Sequence, residues 1–256
     1  MKDLTKGKPS TLILAFALPI FLANLLQLTY SLVDTRIVGS FLGEDTLAAV
    51  GATTTLSNLM IGFLMGLSNG FAIITAQKFG AKDEQKSFAM SLKLGCVIAL
   101  AITVLCLLFL QPILRFLNVS GALRPIATSY IFIIIAGLLA TFLYDACAAA
   151  LRALGDTITP LIILLISVCL NIVGDLFFVV GIKVGVRGAA IATVLAQILA
   201  FVICWIYMVK RFELLRLSRT DFTNDNSHML KNMLSAGLSM GFMSSLVNIG
   251  SLTLQT

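Results

Sequence analysis

Seven stretches of the chain run for helix length with almost no charge, and this pattern restricts the fold more than any other feature. They cover residues 9–33, 46–77, 94–114, 125–144, 157–182, 188–209 and 232–256. About 20 helical residues cross roughly 30 Å of hydrocarbon, so each stretch is long enough to span a bilayer. Inside a bilayer the backbone must satisfy its own hydrogen bonds, which leaves helices or closed barrels, and these runs lack the short alternating period of barrel strands. Composition agrees: 59% of the 256 residues are hydrophobic and 12% charged, against roughly 25% charged in a soluble domain. The expectation is an all-α membrane protein.

Flanking charge sets the expected orientation. Thirteen of the eighteen Lys and Arg residues fall in one set of connections: Lys2, Lys6, Lys8, Lys78, Lys82, Lys86, Lys93, Arg152, Lys210, Arg211, Arg216, Arg219 and Lys231. The other set holds Arg36, Arg115, Arg124, Lys183 and Arg187. This bias predicts a cytoplasmic N-terminus in the cell (plasma) membrane. It also predicts a cytoplasmic linker over 211–231, whose polar residues divide six spans from a seventh. The net charge of +6 comes from these short clusters, so it reads as topology and not as nucleic-acid binding. Five cysteines within apolar runs, with no C-x-x-C pair, argue against a disulfide framework or a zinc site. The basic start followed by a long first run predicts no cleaved signal peptide.

Asp175 is the residue that most needs explaining, because a charge deep in a bilayer costs about 2.5–3.5 kcal/mol on insertion scales and marks a functional site by default. Asn171 precedes it by four residues and shares its helix face, as Tyr30 shares the face of Asp34. Thr193, near the outer start of the sixth span, lies at a comparable depth. Together these five groups would supply hard oxygen ligands for Na⁺ or H⁺, and two carboxylates in a low-dielectric cavity cannot both remain charged cheaply. Plainer readings stand beside this one. Asp34 could pair with Arg36, Thr193 could bond its own helix backbone, and Asp145 could pair locally or face water. Gln27 and Tyr130 are candidates for a substrate path, with core packing the alternative for Gln27. Pro19 inside the first span removes a backbone donor and predicts a bend. Thr159 and Pro160 are expected to open the fifth span as N-cap and first-turn residue. Gly62, Gly66 and Gly70, spaced by four, read as a helix-contact stripe. Gly66, Ser68 and Gly70 also fit G-x-S-x-G, but the hydrolase motif needs a strand-turn-helix setting and a histidine partner, and the single histidine is His228.

The chain resembles the N-terminal half of multidrug and toxic compound extrusion (MATE) transporters. The resemblance rests on Pro19 and Asp34, on Leu47-Ala48-Ala49-Val50-Gly51, on Ala76-Gln77 with Gly80-Ala81, and on Arg152-Ala153-Leu154-Gly155-Asp156-Thr157 with Pro160. It implies a six-transmembrane-helix lobe over 1–210, the linker over 211–231, and a truncated seventh helix over 232–256 that begins a second lobe. It implies a cation-coupled antiporter, driven by H⁺ or Na⁺, that exports small organic cations of amphipathic character by alternating access. Asp34, Asn171, Asp175 and Thr193, with Tyr30, fall where the family has its N-lobe cation site, and Na⁺ is possible at the first four. No cofactor is implied beyond the coupling ion, and no catalytic residue or enzyme activity. A faint repeat at an offset of 220 sets Ala17-Leu18-Pro19-Ile20 against Gly237-Leu238-Ser239-Met240, Leu32 against Leu252 and Asp34 against Leu254. On this reading the chain is a half-transporter that needs its missing C-terminal lobe to move substrate, and does not export alone.

Two alternatives differ in class. A lipid-linked sugar flippase shares the architecture but is expected to carry basic residues in its cavity, and the spans hold essentially none. A seven-helix receptor fits the span count, yet its N-terminus would be extracellular, against the charge bias.

Overall fold

The computed structural model describes residues 9–78, 84–212 and 227–253, with side chains described over 13–78, 87–212 and 228–248. The basic tail from Lys2 to Lys8, Gly80, Ala81, Lys82, linker residues 213–226 and Leu254 lie outside the described residues. In chain order the elements are α1 (Pro9–Leu42), α2 (Glu44–Lys78), α3 (Glu84–Leu108), α4 (Leu110–Phe116), α5 (Arg124–Ala136) and α6 (Leu138–Ala153). Then come α7 (Ile158–Asp175), a π-helical turn (Leu176–Gly181), α8 (Val186–Arg211) and α9 (Ser227–Thr253). Five helical stretches are long and apolar enough to cross a membrane, and the bent pair α5–α6 makes a sixth. The outer surface is correspondingly apolar, with Leu32 73% and Val97 62% exposed.

Several element boundaries differ from those expected, each for a local reason. The first helix does not stop at Val33 but continues to Leu42, because Asp34 turns toward a cavity rather than out to lipid. The third begins at Glu84, ten residues before the apolar run. Phe88, Ala89, Met90 and Leu92 there are buried, and Ser87 donates to the Met229 sulfur of α9 at 3.4 Å. Lys93 therefore sits within a helix and not in a connection. Near its C-terminal end the same run breaks at Phe109, and the short α4 follows. The fourth run bends by 42° between α5 and α6 at Gly137 and continues to Ala153, which places Asp145 inside a helix.

Lipid tails are as apolar as leucine, so helices in a bilayer associate through close packing and small residues. The glycine stripe of α2 does this against α9. A Cβ added at Gly66 would meet the Met240 carbonyl oxygen at 2.5 Å, and one at Gly70 would meet the Ala236 carbonyl oxygen at 2.5 Å and the Gly237 Cα at 2.6 Å. These are backbone atoms with no freedom to move aside. Ser68, between the glycines, is 2% exposed and donates to its own helix at the Leu64 carbonyl, at 2.9 Å. The G-x-S-x-G match is packing.

The Arg152–Thr157 segment is a compact helix-to-helix turn. Gly155 has φ +86°, the left-handed conformation that costs an L side chain about 1–2 kcal/mol. It lets the Asp156 N–H return to the Leu151 carbonyl at 2.9 Å and the Gly155 N–H to the Arg152 carbonyl at 3.0 Å, which closes α6 in a Schellman motif. The expected cap of α7 is displaced by three residues. Asp156, not Thr159, supplies the carboxylate, accepting from the Thr159 N–H at 3.0 Å and its hydroxyl at 2.8 Å. Tyr207 of α8 donates to the same carboxylate at 3.1 Å.

Two substitutions test this packing. Gly70→Val is expected to separate α2 from α9 and to lower stability by about 1–3 kcal/mol, read as the melting temperature of the detergent-purified chain. Gly155→Ala is expected to cost about 1–2 kcal/mol in the same measurement, whereas Gly51→Ala, inside α2 and with an added Cβ that meets no atom within 4 Å, is expected to gain about 0.5–1 kcal/mol.

Candidate functional site

α7 and α8 approach closely because a small residue faces a small residue: a Cβ at Gly174 would lie 2.9 Å from the Ala192 Cβ. That contact brings Asn171 and Asp175 of α7 to Thr193 of α8. Asp175 is wholly buried and Asn171 is 2% exposed. With its amide turned so that both ends are satisfied, Asn171 donates to Asp175 Oδ2 at 3.0 Å. Its oxygen then accepts from the Thr193 hydroxyl at 3.2 Å and the Thr193 N–H at 3.1 Å. Thr193 Oγ1 also lies 3.1 Å from the Ala189 carbonyl of its own helix, so its hydroxyl has a backbone acceptor as well as site partners.

α1 closes the site. The Tyr30 hydroxyl lies 3.2 Å from Thr193 Oγ1, and one turn further along the Asp34 carboxyl is within hydrogen-bonding reach of Asp175. One oxygen of each carboxyl, Asp34 Oδ1 and Asp175 Oδ1, is buried with no hydrogen-bond partner. Arg36 is exposed, and Asp34 faces Asp175 instead. Tyr30, Asp34, Asn171, Asp175 and Thr193 therefore form one cluster. Two carboxyls in contact away from water must share a proton or a cation, since like charges at that range cannot both persist uncompensated.

The cluster stands at one end of a cavity of about 380 Å³. Tyr30, Asp34 and Thr193 line it, with Asn171 and Asp175 behind them. Pro19, Gln27 and Tyr130 line it as well. Sequence reading missed Asn24, Asn58, Asn69, Asp145, Arg152 and Gln197, which also line it. A signal was present for some. Asn24, Gln27, Ser31 and Asp34 recur every three or four residues on one face of α1, and Asn58, Ile61, Met65 and Asn69 repeat the spacing on α2, with amides at its two ends. Arg152 corrects the expectation of a cavity without basic residues: near the C-terminal end of α6 it lines the cavity and donates to Asn69 Oδ1 of α2 at 3.4 Å. Among the residues whose side chains are described, no group of three or more His, Cys, Asp or Glu is arranged to hold a metal ion.

Six apolar helical stretches, of which α1, α2, α5–α6, α7 and α8 line one cavity with Asp34 on its wall and Asp175 buried behind it, define a multi-pass membrane protein whose cavity and polar cluster both lie among the spans. Residues 19–177 match the MatE family model, and the chain belongs to that family. It is 30% identical over 93% of its length to the probable multidrug resistance protein YpnP of Bacillus subtilis, covering 54% of that protein. It is 25% identical to the multidrug export protein MepA of Staphylococcus aureus, over 93% of this chain and 53% of MepA. A solved outward-facing multidrug resistance MATE family transporter of the MOP superfamily superposes with a TM-score of 0.86 at 26% identity, over 94% of this chain and 54% of that one. The chain thus spans about half the length of the curated relatives it matches.

Because the two carboxyls are crowded and each leaves an oxygen unpartnered, removing one charge relieves the fold. Asp175→Asn is expected to raise the melting temperature of the purified chain, by about 1–3 kcal/mol in stability. A marked fall would show that the carboxylate is a structural tie.

Proposed function

We propose that this chain contributes the N-terminal lobe, residues 1–210, of a cation-coupled antiporter that exports cationic amphipathic compounds from the cell. In this reading residues 211–231 form the cytoplasmic linker and 232–256 begin the second lobe. The observation that carries the reading is the contact of Asp34 with Asp175 at the end of a membrane-embedded cavity. Asn171, Thr193 and Tyr30 add amide, hydroxyl and phenol oxygens, which suits either a proton shared by the carboxyls or a Na⁺ held among oxygens. Occupancy changes the charge between α1 and α7 together. If the ion binds one cavity shape better than the other, it shifts the equilibrium between them, which is coupling through differential affinity. Pro19 lines the cavity and interrupts the backbone bonding of α1, so it is the natural hinge for that helix. The multidrug names of the relatives and the acidic, amide-rich cavity wall support small organic cations as cargo. The lipid bilayer is the working environment, and the positive-residue bias supports a plasma-membrane protein with a cytoplasmic N-terminus.

In an intact protein carrying this lobe, Asp34→Asn and Asp175→Asn are each expected to abolish ion-gradient-dependent efflux while surface abundance stays unchanged. Thr193→Val is expected to weaken the ion dependence without abolishing it. Efflux assays in Na⁺ and in Na⁺-free media across a pH series separate the two coupling ions. Undiminished, gradient-dependent efflux by Asp175→Asn overturns the reading.

A further inference from the structure

The inner half of the cavity holds a charge that ion coupling does not use. α6 ends at Ala153, so Asp145 lies eight residues, or about 12 Å, above the inner end of its helix. Asp175 lies seventeen residues, or about 26 Å, above the start of α7. Counted along their own helices from the turn that joins α6 to α7, the two carboxylates therefore occupy different levels, about 14 Å apart in axial rise. Asp145 is half-buried and lines the cavity. Arg152, seven residues on, shares its helix face and is near enough to act on its charge. The guanidinium of Arg152 makes its hydrogen bond to Asn69 instead, at 3.4 Å. A second acceptor faces the same cavity: Gln197 of α8 lines it, and its Oε1 is buried with no hydrogen-bond partner. Among the described residues no lysine or arginine makes a direct ion pair with the Asp145 carboxylate, so it and the orphaned Gln197 amide oxygen present two acceptors to the cavity.

We propose that Asp145, with Gln197 beside the same cavity, is the cargo-charge station, a specificity-determining site for the positive group of an organic cation, separate from the Asp34–Asp175 site. This rests on the export reading above. It divides the labour between two acidic levels: the outer pair exchanges the inorganic ion, and the inner carboxylate receives the cargo from the cytoplasmic side. Arg152 tunes the station, because its charge opposes a cation at Asp145 and sets how tightly one is held.

The test is equilibrium binding of tetraphenylphosphonium to the full chain reconstituted in lipid nanodiscs. Asp145→Asn is expected to weaken binding about tenfold or more, and Asp145→Glu to retain it within about threefold. Arg152→Gln is expected to tighten binding, a change that a purely structural role for α6 would not produce. Because Arg152→Gln leaves the carboxylate in place, it also decides the matter should Asp145→Asn fail to fold: weaker binding by Arg152→Gln overturns the proposal. Wild-type affinity in folded Asp145→Asn overturns it too while leaving the export reading intact. If the unaltered chain binds no tetraphenylphosphonium, the station and the cationic-cargo reading fall together.

Discussion

Placing two carboxyls against each other inside hydrocarbon is the constraint on which the rest of this structure depends. Each would be costly alone, and together they are tolerable only where neighbouring groups supply hydrogen bonds and where a proton or cation completes the charge balance. Asn171 meets the first condition at Asp175, and Thr193 and Tyr30, from two other helices, extend the network behind it by bonding Asn171 and each other. The close approach of Gly174 to Ala192 then has a clear purpose, since side chains as short as asparagine and threonine reach one another only when their helices nearly touch.

The bundle is built on the same economy of small residues. The tightest helix contact, α2 against α9, is set by glycines facing backbone, and α7 meets α8 in the same manner. In water, larger apolar side chains would drive these contacts. In lipid they gain little by turning inward, and they point outward along α1 and α3. Removing side chains from these interfaces lets polar groups be held rigidly beside the buried apolar core around Phe71, Phe88 and Phe142.

The cavity places its charges at two levels. One level is the Asp34–Asp175 pair between α1 and α7. The other is Asp145, near Arg152, whose guanidinium donates to Asn69 of α2.

Most of the helical architecture was legible from sequence, because a backbone in hydrocarbon has few alternatives and an apolar run of about 20 residues announces itself. The site was half legible. Asp175, Asn171, Asp34 and Tyr30 stood out because polar groups in apolar runs carry a cost, and their four-residue spacing fixes a shared face whatever the packing. Element ends were read less well: α1 runs on past Asp34 and α3 starts well before its apolar run, since a charge breaks a hydropathy pattern without breaking a helix. Asp145 was read as pairing locally or facing water and Arg152 as a residue of a connection, because hydropathy does not register that α6 continues to Ala153 and puts both on the cavity wall. Sequence determined which segments enter the membrane and which side chains there must find partners. Tertiary structure alone decided which partners they found, because helix rotation and tilt depend on where glycines let neighbouring backbones approach.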